Sequence, residues 1–213
     1  MDRFAVTLSR SGAPDVSIAM DRDTELALVA GLREGSAAAF DAVHEAFQTR
    51  LFTFLLRLCR RRDVAEDLLE ETWLRLVKHA RGLRPDTRLA PWLFTVARHL
   101  HVSYVRSRVL EDSAAAGLMA LWPSSVERAS PFEETAANEL QRRIERGLAS
   151  LPAASREAVL LVAVAGLDYA DAAEVCGVTP EALRQRVSRA RASLALALAD
   201  APAGARVMKE VLP

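Results

Sequence analysis

The chain has 213 residues, room for one large domain or two small ones, with 28 Lys and Arg against 28 Asp and Glu. Hydrophobic residues make up 51% and aromatics only 6%; few windows favour strands and no apolar run approaches membrane-spanning length, which excludes a β protein and an integral membrane protein. An all-helical, cytoplasmic protein is expected, and its zero formal charge is unusual for a free-standing DNA binder.

The charge is unevenly spread. Residues 36–108 carry 13 Lys and Arg against 8 Asp and Glu, residues 109–147 carry 4 against 7, and the first 35 carry 4 against 6. Basic surface is therefore local, with acidic sequence beside it. Cys59 and Cys176 fall within apolar helical pattern, without a CxxC or Cys/His cluster, and read as buried structural thiols. The N-terminus lacks the apolar core of a signal peptide.

Residues 1–22 carry no pattern and read as a flexible extension. Asp23 or Thr24 is expected to cap a short helix through Glu34, which Gly35 ends. Ser36 opens a long helix whose stripe is Phe40, Val43, Phe47, Leu51, Phe54, Leu55 and Leu58. Arg60, Arg61 and Arg62 follow as a C-terminal cation group favoured by the helix dipole. Asp63, with Glu66 three residues on, predicts the cap of the next helix, which runs to about Ala80 on an apolar side of Leu68, Leu69, Trp73, Leu76 and Val77. Glu66 with Glu70, and Asp67 with Glu71, are like charges four residues apart, at a cost of a few tenths of a kcal/mol per pair. An acidic face held at that cost suggests a basic partner.

Residues 82–90 form a turn-rich loop carrying Arg84, Asp86, Thr87 and Arg88. Pro91 is expected to begin a helix that turns Leu93, Val96, Leu100 and Tyr104 inward and shows Arg98, His99, Val102 and Arg106 on the other side. Residues 92–108 hold three arginines, two histidines and no acid, interleaved with Trp92, Phe94 and Tyr104. That combination suits single-stranded nucleic acid, in which bases stack and phosphates pair. Residues 109–131 are rich in Gly, Pro and Ser and read as a linker, with a short helical turn around Leu118–Trp122. Helices are expected over 131–149, with Leu140, Ile144 and Leu148 inward, and over 152–165.

The last block is a helix-turn-helix. Asp168 caps its first helix with Asp171 in a capping-box arrangement, and Gly177 sits where the chain reverses. Thr179, Pro180 and Glu181 open the second helix, whose stripe is Leu183, Val187, Ala190 and Leu194. Arg184, Arg186, Arg189 and Arg191 lie largely off that stripe, where a recognition helix reaches the major groove. Residues 199–213 read as a flexible tail.

Two blocks, FDAVHEAFQTRLFTFLLRLCRRRDVAEDLLEETWLRL continuing through PWLFTVARHLHVSYVRSR, and LASLPAASREAVLLVAVAGLDYADAAEVCGVTPEALRQRVSRARASL, resemble an extracytoplasmic-function (ECF, group 4) sigma factor of bacterial RNA polymerase. The resemblance implies an all-α fold of two small helical domains: a sigma region 2-like bundle over 23–108 and a region 4-like helix-turn-helix over 132–198. It implies that Glu66, Asp67, Glu70 and Glu71 grip the clamp coiled coil of the polymerase β′ subunit. Arg84, Asp86, Thr87, Arg88, Trp92, Arg98, His99 and Arg106 would meet the minus-ten element, the loop capturing an unstacked base and the helix melting the duplex. Thr179, Glu181, Arg184, Gln185, Ser188 and Arg189 would meet the minus-thirty-five element. The sequence departs from the family at Glu70, usually glutamine, at His99 and Ser103, usually asparagine and aspartate, and at Val162 and Ala163.

The implied function is transcription initiation from one promoter class, in a stress response. The implied partners are core RNA polymerase (β′ clamp and β flap), promoter DNA and an anti-sigma factor that could hold the chain at the membrane. The free chain would be monomeric, use no cofactor or metal and catalyse nothing. Two alternatives use the same residues: a sigma-like decoy for an anti-sigma factor, and an autonomous helix-turn-helix regulator. The decoy lacks its usual phosphoreceiver domain, and the regulator leaves the acidic helix and residues 82–108 without a role.

Overall fold

The computed structural model describes residues 20–118 and 136–199. Among them the regular structure is helical throughout. The expected N-terminal extension, the turn around 118–122, the helix start at 131 and the tail lie wholly or largely outside the described residues.

Helix α1 (Arg22–Glu34) is capped by Asp21, two residues before Asp23, the earlier of the two expected caps. Its carboxylate accepts the N–H groups of Asp23 (3.1 Å) and Thr24 (3.0 Å). Asp23 then sits in the first turn, where the helix dipole favours an acid. A Cβ at Gly31 would stand 2.8 Å from that of Ala39, so α1 lies close against α2 (Ala37–Cys59). Ser36 caps α2 as expected, its Oγ accepting from the Ala39 N–H at 3.2 Å. Val43, Phe47, Leu51, Phe54, Leu55 and Leu58 are buried, while Phe40 is only partly so and turns toward His44 and Trp73. Arg60 ends α2 in the left-handed region (φ 59°), a conformation strained for a residue with a Cβ.

Helix α3 (Arg62–His79) corrects two expectations. Arg61, in extended backbone, holds the N-cap position without a side-chain cap bond, and Asp63 lies inside the first turn, paired with Arg61. The arginine cluster therefore does not simply close α2: Arg62 opens α3, pairs with Glu66 (2.8 Å) and lies over the Phe52 ring (5.6 Å). Val77 is 60% exposed rather than inward. A 3-10 turn (Ala80–Gly82) leads into the loop.

Helix α4 (Leu89–Leu118) begins before Pro91 and continues into the stretch expected as linker. Its N-terminus is organised from a distance: Glu25 Oε1 of α1 accepts the Leu89 N–H at 2.7 Å. The first N–H groups of a helix lack carbonyls from a preceding turn, and Glu25 supplies an acceptor here, two residues ahead of the proline. Phe94 packs edge-to-face on Phe54 at 5.3 Å, both fully buried, and Leu51, Leu55, Leu76, Leu89 and Leu93 complete this core.

The second domain comprises α5 (Ala136–Ser150), α6 (Ala153–Ala163), α7 (Tyr169–Cys176) and α8 (Pro180–Ala199). Arg156 of α6 donates to the carbonyls of Leu148 (2.7 Å), Ala149 (2.9 Å) and Leu151 (3.1 Å), satisfying the free acceptors at the α5 C-terminus. Asp168 caps α7 through the Asp171 N–H at 2.7 Å, but the reciprocal half of the capping box is absent because the Asp171 carboxylate turns to Arg88. Gly177 makes the turn in the left-handed region (φ 66°), and Thr179 Oγ1 caps α8 at the Ala182 N–H (3.2 Å). Leu183, Val187 and Ala190 are buried, as their spacing predicts.

The two domains do not stand apart. Helix α4 packs on α7 and α2 on α6, and one apolar cluster runs from Val29 in α1 to Ala190 in α8. Among the described residues no helix is long and apolar enough to cross a membrane. Cys59 is half-buried and Cys176 buried; burial pushes their thiols up to about 12 and about 11, so both stay protonated at neutral pH.

Candidate nucleic-acid and polymerase interfaces

Three surfaces gather the residues singled out by sequence. The first is the outer side of α3. Glu66 is paired with Arg62, and Glu71 with Arg75 at 2.9 Å, each pair four residues apart on the helix. Asp67 and Glu70 are exposed and form no ion pair among the described residues. Glu66 and Glu70 edge an apolar groove between α2 and α3, lined also by Phe40, His44, Leu69, Trp73, Leu74 and Val77, with a volume of about 300 Å³. Leu74 and Val77 are 56% and 60% exposed on its rim. The Trp73 ring lies tilted against that of His44, their centroids 4.7 Å apart, and its buried Nε1 has no hydrogen-bond partner among the described residues. The face is thus apolar at its centre and acidic at its edge. Sequence reasoning found the edge and missed the centre.

The second surface is the loop and the start of α4. Arg84 is bidentate to its neighbour Asp86, Nε and Nη2 each 3.1 Å from a carboxylate oxygen, and both side chains are largely exposed. The loop is tied to α1: Arg22 Nη2 donates to the Asp86 carbonyl at 2.8 Å, and Glu25 bonds both Arg22 and the Leu89 N–H. Arg22 and Glu25 thereby set the loop's shape. Their partners lie more than sixty positions away, a pairing that no local signal reports. Arg84, Asp86, Thr87, Arg88, Pro91, Trp92 and Thr95 line a groove of about 340 Å³, and Glu174 of α7 stands in its wall.

Further along α4, Arg98 faces the second domain. Its Nε is 2.7 Å from Glu157 Oε1, with only 22% and 12% of the two side chains exposed. Arg88 likewise reaches Asp171, whose side chain is 6% exposed. Burial pushes the Asp171 carboxyl up, while the guanidinium of Arg88 acts against it. His99 and Arg106 are exposed. The eight residues expected on this surface are therefore divided: Arg84, Asp86, His99 and Arg106 are open, Thr87 and Trp92 half-buried, and Arg88 and Arg98 occupied by acids of the other domain.

The third surface is the outer side of α8. Thr179, Glu181, Arg184, Gln185, Ser188 and Arg189 are all exposed. Arg184, Gln185, Ser188 and Arg189 line one shallow depression. Arg184 pairs loosely with Glu181 (3.3 Å) and lies 6.0 Å from the Tyr169 ring centre, which holds its guanidinium on the helix surface. No group of three or more His, Cys, Asp or Glu side chains suited to a metal occurs among the described residues.

A short capped helix, a left-handed glycine turn and a second helix with an arginine-bearing outer face define a helix-turn-helix protein joined to a four-helix domain with an acidic and a basic face. The family described as Sigma-70 region 2 matches residues 43–122, and Sigma-70, region 4 matches residues 141–194. The chain is 35% identical over 148 residues to the ECF RNA polymerase sigma factor EcfG of Rhodopseudomonas palustris (strain TIE-1), covering 70% of this chain and 78% of that one. In fold it is similar to CnrH in complex with the cytosolic domain of CnrY, with a TM-score of 0.64 and 23% identity over 84% of this chain and 100% of that one. It is also similar to the sigma factor RpoE in complex with the anti-sigma factor NepR from Bartonella quintana, with a TM-score of 0.57 and 25% identity over 84% of this chain and 97% of that one. The chain belongs to the ECF sigma factors of RNA polymerase, a family of promoter-directing transcription factors and not of enzymes.

Proposed function

We propose that this chain binds core RNA polymerase through the α3 groove and reads two promoter elements, one with each domain. The observation that carries the reading is the α3 face itself. Two exposed apolar side chains beside two exposed carboxylates, Asp67 and Glu70, form a surface that a solvated helix has no use for, and that a basic, partly apolar coiled coil fits. The β′ clamp is the partner of that chemistry which the family supplies; the β flap would hold the second domain.

The recognition helix α8 reads the minus-thirty-five duplex. Arg184 and Arg189 lie on one exposed face with Gln185 and Ser188 between them, donors suited to base edges in a major groove. The loop from Arg84 to Arg88, held by Arg22 and Glu25, takes the unstacked base of the minus-ten element, and Arg98, His99 and Arg106 follow the single strand along α4. An anti-sigma factor belongs to the same reading, since the solved sigma factor RpoE is found with NepR, and the exposed α3 groove is a suitable seat. Neutral overall charge fits a subunit whose DNA affinity is shared with the polymerase.

The test is binding of the reconstituted holoenzyme to a promoter selected by the wild-type holoenzyme from random duplex. Arg184→Ala or Arg189→Ala is expected to cost about 1–3 kcal/mol and to relax base preference in the minus-thirty-five element alone. Polymerase binding is expected to stay unchanged. Equal loss on every sequence would show phosphate contact rather than base reading, and loss of polymerase binding would contradict the division of roles.

A further inference from the structure

Helix α1 lies ahead of the region 2 match, which begins at residue 43, yet two of its side chains bear on the loop before α4. The later half of α1 is anchored in the core: Val29 and Leu32 are buried, and Gly31 lies against Ala39. Its first turn serves the loop instead. Arg22 Nη2 donates to the Asp86 carbonyl at 2.8 Å and Nη1 donates to Glu25 Oε2, while Glu25 Oε1 accepts the Leu89 N–H at 2.7 Å. Only 12% of the Glu25 side chain is exposed. One carboxylate thus joins the loop, through Arg22, to the head of α4.

The loop is stiff within itself. Arg84 to Thr87 form a β-turn closed by the Thr87 N–H on the Arg84 carbonyl at 3.0 Å, with Pro85 at the second position, where its fixed φ suits the turn. The fork between Arg84 and Asp86 closes it again through the side chains. These bonds fix the shape of the turn and leave its position against α4 open. Position comes from α1, where Arg22 holds the turn and Glu25 holds the first N–H of the helix. The groove between them has Arg84, Asp86 and Thr87 as one wall and Pro91, Trp92 and Thr95 of α4 as the other.

We infer that Arg22 and Glu25 are positioning residues for base selection in the minus-ten element, setting the distance between the two walls of the pocket that takes the unstacked base. The inference rests on the reading of the loop as that pocket. Choosing between bases needs donors and acceptors held to within about 0.5 Å of their places, so a wall free to shift accepts different bases more evenly. An ion pair with one partner near the surface contributes little to stability. The brace therefore shows in selectivity rather than in folding.

The test uses holoenzyme reconstituted from core RNA polymerase and the full chain. Open-complex formation is measured on a promoter selected by the wild-type holoenzyme, with each base placed in turn at every minus-ten position of the non-template strand. Glu25→Ala is expected to shrink discrimination roughly tenfold at one minus-ten position, that of the captured base, by losses on the preferred base. Preferences at the other minus-ten positions and in the minus-thirty-five element are expected to stay unchanged, as is affinity for core enzyme. Glu25→Gln, whose amide oxygen still accepts the Leu89 N–H, is expected to restore most of the discrimination. Arg22→Ala is expected to act at the same position. The double variant Arg22→Ala/Glu25→Ala is expected to lose no more than Glu25→Ala, because both side chains act on one turn.

Unchanged discrimination in Glu25→Ala would overturn the inference. Equal losses at every promoter position would overturn it as well, since they mark a chain weakened in its fold. Asp86→Ala separates the inference from the reading beneath it. If Asp86→Ala alters base preference at one position and Glu25→Ala does not, the positioning role alone fails. If Asp86→Ala alters preference at no position, the loop is not the pocket and the minus-ten reading fails with it.

Discussion

Replacing Leu74 and Val77 together by glutamate is expected to weaken binding to core RNA polymerase by about 2–4 kcal/mol while leaving the fold intact. The two side chains are 56% and 60% exposed, so neither contributes much to the core, and a charge at either position enters water in the free chain. Against a partner each would give up apolar burial, at roughly 1.5–3 kcal/mol for a fully buried side chain and less for one that is only half covered. The added carboxylates also become charges that the partner must desolvate. Since each 1.4 kcal/mol is tenfold, a shift of about 30- to 1,000-fold in dissociation constant is the expected reading from titration of labelled chain with core enzyme. An unchanged constant in a chain with normal thermal unfolding would mean that polymerase does not cover this groove. The acidic residues of α3 are the weaker part: Glu66 on the rim and Glu71 beyond it are already paired within the helix, and exposed pairs contribute little.

Phe94→Ala is expected to have the largest effect on stability, about 3–5 kcal/mol in denaturant unfolding followed by circular dichroism. Phe94 is fully buried in the second turn of α4, and its ring meets Phe54 of α2 edge-to-face at 5.3 Å. Removing it leaves a void that neither helix can close, because Leu51, Leu55 and Leu93 around it are also fully buried and packed. The edge-to-face contact is lost as well, a further ~0.5–1.5 kcal/mol. The guanidinium of Arg50, 6.0 Å from the Phe94 ring centre, also bonds the Ala165 carbonyl, so the void would reach the seam between domains. For a domain whose whole stability is of the order of 5–15 kcal/mol, the variant would populate unfolded chain under native conditions. A loss below about 1 kcal/mol would mean that the α2–α4 contact is not the centre of this core.

Much of the fold was legible because its signals are local. Ser36, Asp168, Gly177 and Thr179 each act within a turn of helix, and each occupies the position its chemistry predicts. The stripe on α8 was equally plain, with Leu183, Val187 and Ala190 buried in register. Errors gathered where the deciding partner was remote. Pro91 misplaced the start of α4, because the acceptor that organises that turn is Glu25, 64 positions earlier. Asp171 read as the second half of a capping box, yet its carboxylate answers to an arginine 83 positions away.

The candidate surfaces followed the same rule. The outer face of α8 needed only helical periodicity, and its six residues are exposed as expected. On α3 the apolar residues cover more than one side of the helix, so periodicity could not say which of them faces the core; Val77 was assigned inward and stands on the rim of the groove. The closure of one domain on the other left no trace in local pattern. It depends on Arg88, Arg98, Glu157 and Asp171, ordinary surface residue types whose meeting only the tertiary structure reveals.

The central claim is that this chain is the promoter-specificity subunit of an RNA polymerase, and the most direct measurement is co-elution of the purified chain with sigma-free core enzyme in size-exclusion chromatography at moderate salt. A one-to-one complex, stable through the column, is the expected result. Separate elution of core enzyme and of a chain that circular dichroism shows to be folded and helical would contradict it.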